Sequence, residues 1–441
     1  MSHLPGKVVK YLSEYSLSNW KLETAVTSNI DSVIVVPAIS EYQNILLLLK
    51  SLSKNESRYF HSTLIIFVIN NTVSSSEDVK EDNRKSIELI QSLMFRKQKN
   101  KFEKKIISSG LQLGLVDASS KGNEFPEKEA GVGLARKAGM DLALSVFDYS
   151  TKRKKLIISL DADCTVQHNY LTNVIDNYYE RNLRAAVIKL EHNIAEKETE
   201  AAIICYEIFL RYYVMGLKLA NSPFAFQTVG STMVFDYEVY IKVEGMNKRK
   251  AAEDFYFLEK IAKRFKIEEI KSTTVYPSSR ASWRVPFGTG QRVKRFLSKV
   301  QNEYLLYDPE SFIILKDWID TFNNPEILSS KEYLNIAKNI HPALYQFLLT
   351  NKFENSWNKI LRHSGSASQL NKQKIYWFDG FRTLKLIHFL RDKAFPLVNM
   401  FDALDNILAY FNYSPGIKRE GNDIPAKEDQ IIYLNILRAL T

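Results

Sequence analysis

Two carboxylates separated by one alanine, Asp161-Ala162-Asp163, close the apolar run that begins at Leu156. In an extended segment, side chains two positions apart point to the same side. Ionised carboxylates held together repel unless a cation sits with them. Mg2+ and Mn2+ are hard ions that accept carboxylate oxygens and keep open positions for phosphate oxygens. The pair therefore predicts a divalent ion that links protein to a diphosphate. The triplet is also a common turn sequence, and a solvated loop after a strand explains it in isolation. A second acidic pair, Glu253-Asp254, precedes apolar spacing at Phe257, Leu258, Ile261 and Ala262. Acids suit a helix N-terminus, where the macrodipole favours the ionised form and predicts an ionised Asp254 at neutral pH. Such a carboxylate can take a proton from a neighbouring hydroxyl. Plain capping also explains the pair.

Other residues invite the same weighing. Gly131 and Gly133 stand just before a helix, where backbone can approach a ligand and the N-terminus favours anions, with Arg136 close behind. The alternative is a flexible turn entering an amphipathic helix whose Arg136 and Lys137 face water. Lys128 lies on the same loop. The stretch from Pro277 to Phe296 is dense in Arg and Gly. Arg280, Arg284 and Arg292 supply positive charge over a diphosphate, or are surface arginines of a structural loop. Gly288-Thr289-Gly290 suits a mobile lid. His192 has no partner at ligand spacing and reads as a satisfied polar contact.

Certain elements must position these groups. Asp31 to Pro37, Ser62 to Asn71 and Lys155 to Asp163 read as strands, and Asn44 to Leu52, Ile87 to Phe95 and Gly131 to Phe147 as helices. Thr72 to Ser86 reads as a loop, Lys104 to Gly110 as a short strand, and Phe226 to Met246 as strand-loop-strand, most of which core packing explains. Alternation of strands and helices predicts an α/β fold with a mostly parallel sheet covered by helices. Ligands of such sheets bind outside the carboxyl ends of the strands. Pro37 to Glu41, Asn70-Asn71 and Asp161-Ala162-Asp163 all fall at such ends. From Tyr304 onward the apolar spacing is helical and strand signals are scarce. That part reads as an appended helical domain, which could cover an acceptor, dimerise or touch acidic lipid; a packed helical core is the simpler account.

The chain has 441 residues, enough for two or three domains, and is 45% hydrophobic and 25% charged, as soluble globular proteins are. Two cysteines make no disulfide framework, so a cytoplasmic location is expected. The first residues lack a signal-peptide core, and no run reaches the ~20 apolar residues of a spanning helix. Sixty Lys plus Arg against fifty Asp plus Glu suit an anionic partner: nucleotide phosphates, acidic lipid or nucleic acid. The clusters at Arg96–Lys105 and Thr151–Lys155 are dispersed, and no nucleic-acid module is recognisable, so a nucleic-acid partner is not expected.

Four segments, in order, resemble the GT-A-fold glycosyltransferases of the family 2 type: "VIVVPAISEYQNILLLLKSL", "GVGLARKAGMDLAL", "LIISLDADCTV" and "GMNKRKAAEDFYFLEKIAK". The likeness runs from about Ile30 to Val300. It implies a Rossmann-like GT-A domain over 30–303, after an extension over 1–29 and before a mainly helical domain over 304–441. It implies that Asp163 ligates Mn2+ or Mg2+, with Asp161 on the metal or on the ribose and sugar of the donor. Asp254 would be the general base, with Glu253 beside it shaping the acceptor site. Pro37, Ala38 and Glu41 would line the nucleotide pocket, Asn70 or Asn71 would lie near the base, and Arg136 would approach the donor phosphates. Processive relatives carry Gln-x-x-Arg-Trp near Gln291; here Arg292, Arg295 and Phe296 follow instead, and membrane helices are lacking. The implied activity is non-processive, inverting transfer of a hexose from a UDP- or GDP-sugar to an acceptor hydroxyl, on a glycan or lipid-linked precursor. A homodimer and a peripheral membrane contact stay open. The alternatives are a retaining transferase or nucleotidyltransferase of the same fold, and a non-catalytic basic nucleic-acid-binding protein.

Overall fold

The runs SVIVVPA and TLIIFVIN lie side by side as parallel strands, every residue buried. Burial on both faces is why neither shows the alternation of a half-exposed strand. The computed structural model describes residues 4–17, 19–26, 29–97, 100–194, 198–280, 288–299, 302–419 and 423–441. It divides into two compact units: Met1–Asn193 with Thr228–Gln291, and Ile194–Gln227 with Arg292–Thr441.

The first unit holds β1 (Leu22–Thr24), β2 (Ser32–Ala38), β3 (Thr63–Asn70), β4 (Gln112–Ala118), β5 (Leu156–Ser159), β6 (Thr165–Val166), β7 (Ala185–Leu190), β8 (Met233–Asp236) and β9 (Ile267–Tyr276). They form one mixed sheet in the order β1-β4-β3-β2-β5-β8-β7-β9-β6. Its block β4-β3-β2-β5 is parallel, as expected of an α/β fold. Helices in chain order are α1 (Gly6–Tyr15), α2 (Tyr42–Leu52), α3 (Glu77–Met94), α4 (Lys101–Ser109), α5 (Val132–Val146), α6 (Tyr170–Glu180), α7 (Glu200–Leu219), α8 (Tyr237–Lys242) and α9 (Glu253–Ala262), of which α7 belongs to the second unit. From β2 the chain steps outward to β3 and β4, then returns to set β5 on the other side of β2. Such a reversal opens a crevice at the carboxyl ends of the two central strands.

Three elements differ from the sequence expectation. The supposed loop before Ile87 is helical from Glu77, where Lys80 pairs with Glu77 and Arg84 with Glu81 and Glu88 along the turns. Lys104 to Gly110 is the end of α4 and not a strand. Asn100 starts that helix by accepting the N–H of Glu103 at 2.9 Å, and Gly110 ends it at φ 85°. The second half of Phe226 to Met246 is α8, because Asp236 accepts the N–H of Val239 at 2.8 Å and caps a helix there.

The second unit is helical apart from a two-stranded antiparallel ribbon, Leu305–Leu306 with Val398–Asn399. Trp318, Phe322, Tyr333, Phe353 and Trp357 are buried against one another at its centre. The expected domain span 30–303 runs through α7, which packs instead with the last helix, Lys427–Leu440. Among the described residues, no helix is long and apolar enough to cross a membrane.

Candidate active site

The centre of the site is a buried arginine. Arg136, on α5, is 2% exposed. Its Nη1 pairs with Glu253 and its Nη2 with Asp161. Asp161 follows β5 at the rim of the sheet, and Glu253 opens α9, so one guanidinium ties the two acidic pairs of the sequence together. The residue before α9, Ala252, takes a left-handed φ of 56°, a costly conformation outside glycine that recurs at functional sites. Neither Glu253 nor Asp254 is the N-cap; both sit in the first turn, where Asp254 Oδ1 accepts the N–H of Phe255 at 2.8 Å. Burial pushes the Glu253 carboxyl up to about 7; Arg136 opposes the shift, and Asp254 and Asp161 add to it. Burial also pushes Asp254 upward, against the pull of Arg136. The macrodipole therefore does not hold Asp254 ionised unopposed, as the sequence suggested.

The Asp161–Asp163 segment is a turn and not an extended strand: the N–H of Cys164 donates to the Asp161 carbonyl at 3.1 Å. A second arginine serves the second acid. Arg280 Nη2 lies 3.3 Å from Asp163 Oδ2 and pairs as well with Glu41, the residue that precedes α2. Glu41, Asp161, Asp163 and Glu253 thus pair with two guanidiniums, and Asp254 feels the charge of Arg136. Among the described residues, no three His, Cys, Asp or Glu side chains are grouped to hold a metal by themselves. Mg2+ and Mn2+ do not require that: they retain water and bind through one or two carboxylates plus phosphate oxygens. Asp161 and Asp163, with side chains 31% and 30% exposed, are hard oxygen donors that remain reachable from solvent and fit such an ion.

Pro37 and Ala38 end β2, buried, with Glu41 beyond them at the crevice. Asn70 ends β3 and Asn71 follows it, but their amides are occupied with the fold. Asn70 Nδ2 donates to the Ala38 carbonyl at 3.0 Å. Asn83 Nδ2 donates to Asn71 Oδ1 and to the Asn70 carbonyl, both at 2.9 Å. Asn83 Oδ1 in turn accepts the N–H of Ser40 at 2.8 Å. Asn83 thereby joins the ends of β2 and β3; it was missed in the sequence because its charged segment reads as a loop. The expectation that Arg136 approaches phosphates gives way to its pairing with two acids. Lys137 is likewise buried, 3.0 Å from Asp141 and 3.2 Å from the Tyr11 hydroxyl.

Gly131 and Gly133 do not open onto a ligand either. A β-carbon at Gly133 would overlap the carbonyls of Asn247 and Arg249, and one at Gly131 would overlap Lys250. The glycines seat the loop that leads into α9, and Asn247 Nδ2 braces it at 2.9 Å from the Glu253 carbonyl. Arg292 belongs to the second unit, where it lies 3.1 Å from Glu303 and stacks on Phe209, so its guanidinium serves that unit. Arg284 lies outside the described residues. Thr289 and Gly290 begin the helix Thr289–Leu297, and His192 Nε2 lies 3.2 Å from Thr289 Oγ1.

The sequence matches no family profile and no curated protein. Solved structures give low-scoring similarities. S. aureus TarS 1–349 in complex with UDP has TM-score 0.39 and 12% identity, covering 78% of this chain and 89% of that one. The same TarS fragment in complex with UDP-GlcNAc has TM-score 0.39 and 14% identity, covering 87% and 92%. The mannosyltransferase PcManGT from Pyrobaculum calidifontis, in complex with GDP-Man and Mn2+, has TM-score 0.37 and 12% identity, covering 87% and 90%. Similarity at this level establishes neither fold nor activity for this chain.

Proposed function

We propose that the first unit is a metal-dependent glycosyltransferase domain that moves a hexose from a UDP- or GDP-sugar to an acceptor hydroxyl, with inversion. The observation that carries this reading is the pairing of Asp161 and Glu253 through Arg136 at the carboxyl ends of β2 and β5. Acids distant in sequence meet where an open α/β sheet binds ligands. In this reading Pro37, Ala38 and Glu41 border the nucleotide, and Asp161 and Asp163 hold Mn2+ or Mg2+. The ion, when bound, offsets the negative charge of the diphosphate leaving group.

Asp254 takes the acceptor proton as the hydroxyl attacks the sugar carbon. An upward-shifted carboxyl is suited to that work, because a base poised nearer neutrality accepts a proton more readily. Glu253, fixed by Arg136, shapes the acceptor side. Arg280, one-third exposed, supplies positive charge to the diphosphate as that group departs. The test is release of nucleotide from UDP- and GDP-sugars with Mn2+ present. The wild type should turn over one nucleotide class, Asp163→Ala should lose the Mn2+ requirement together with activity, and turnover that is insensitive to Asp163→Ala would refute the metal assignment.

A further inference from the structure

We propose that Arg136 and Gly230 act as one positioning device that fixes the metal-side acid Asp161 against the base-side acid Glu253; this rests on the glycosyltransferase reading. A guanidinium is a rigid planar fork, and one fork spanning two carboxylates sets their separation as a flexible lysine cannot. Here each Nη group is committed to a different acid. The Arg136 side chain is 3% exposed, which leaves no face for a phosphate. Its Nε is buried without a hydrogen-bond partner among the described residues, so the fork is held at its tip and not along its stem.

Gly230 makes that placement possible. It opens the short turn Gly230–Thr232 ahead of β8, and its backbone conformation is one that any residue adopts. A β-carbon there would nonetheless overlap Cζ and both Nη atoms of Arg136. The requirement for glycine at this position is therefore steric, and it concerns one side chain. Adding a methyl group expels the guanidinium from between the acids. Asp161 and Glu253 then lose their common counter-ion, and Asp254, which also feels the Arg136 charge, loses its support.

The test is a double-mutant cycle on the full chain: wild type, Arg136→Gln, Gly230→Ala and the double variant. Its two readouts are donor hydrolysis (UDP-GlcNAc and GDP-Man) and the free-Mn2+ electron paramagnetic resonance signal with UDP or GDP added. Each single variant should lower kcat about 100-fold, the scale expected when reacting groups move by roughly 1 Å, with a rise in KM as Asp161 shifts from the donor's ion. The double variant should fall no more than about 3-fold below Arg136→Gln, because both substitutions break the same contact. A phosphate-binding Arg136 would raise KM with kcat unchanged, and independent roles would multiply the losses; either outcome overturns the proposal. Should Arg136→Gln not fold, Glu253→Gln replaces it in the cycle, since it removes one end of the bridge. A wild type that neither binds Mn2+ with nucleotide nor hydrolyses either donor sinks the proposed function and this inference with it. Active wild type with an unaffected Gly230→Ala variant sinks this inference alone.

Discussion

Each unit buries an ion cluster, and the two differ in which group stands at the centre. In the helical unit, Glu207 on α7 is fully buried and accepts from Arg211 Nε at 2.8 Å and from Arg438 at 2.8 and 2.9 Å. Arg211 also donates to Thr441 Oγ1 at 2.8 Å. Two guanidiniums close on one carboxylate and fasten the last helix to α7. In the sheet unit the ratio inverts, with one guanidinium serving Asp161 and Glu253 while Asp254 stands alongside. Burial pushes Glu253 up to about 7. A buried carboxylate gripped by two guanidiniums holds helices together; an acid-rich cluster at a sheet rim favours a cation and a proton.

Substitutions should separate the two clusters cleanly. Asp254→Asn should cut sugar transfer by about 10²–10⁴-fold while nucleotide binding, followed by titration calorimetry, stays close to wild type. Glu207→Ala leaves two buried guanidiniums without their acid and should cost about 3–5 kcal/mol in denaturant unfolding. The folded fraction of that variant should still bind nucleotide with Mn2+. A stability loss as large from Asp254→Asn would erase the distinction between the clusters. Asp163→Ala should abolish the extra thermal stabilisation by nucleotide plus Mn2+, which is about 2.7 kcal/mol at a ligand concentration 100 times Kd.

The smallest effect is one of pH. Glu253 is raised from 4.5 to about 7, so the native state holds its proton more tightly than the unfolded chain. The stabilisation is complete below pH 4.5 and is lost as pH rises through 7. Glu253→Gln should flatten the decline of melting temperature across that window, and an unchanged slope would show that burial does not govern this carboxyl.

The central strands were legible because β2 and β3 are continuous apolar runs, and the rim acids were legible because they interrupt such a run at its end. What stayed hidden depended on partners distant in the chain. Nothing adjacent to Arg136 tells that its side chain turns inward to Glu253, and nothing near Gly131 and Gly133 tells that Asn247, Arg249 and Lys250 cover them. Local chemistry also misled. "KKIISSG" has strand composition, yet Asn100 and Gly110 cap it as a helix. The charged segment before Ile87 looks like a loop until its acids and bases are seen to pair along successive helical turns. The helix α7 carries no mark of belonging with residues beyond 292, because Glu207 reveals its partners only when Arg438 is placed beside it.

The reading stands or falls on whether the sheet-rim acids hold a cation together with a nucleotide. Titration calorimetry of UDP and of GDP, in Mn2+ and again in EDTA, measures this directly. One nucleotide should bind in Mn2+ and weaken by at least about tenfold in EDTA, roughly 1.4 kcal/mol, with Asp163→Ala in Mn2+ resembling wild type in EDTA. Binding of neither nucleotide, or binding indifferent to both the chelator and Asp163→Ala, would contradict the account.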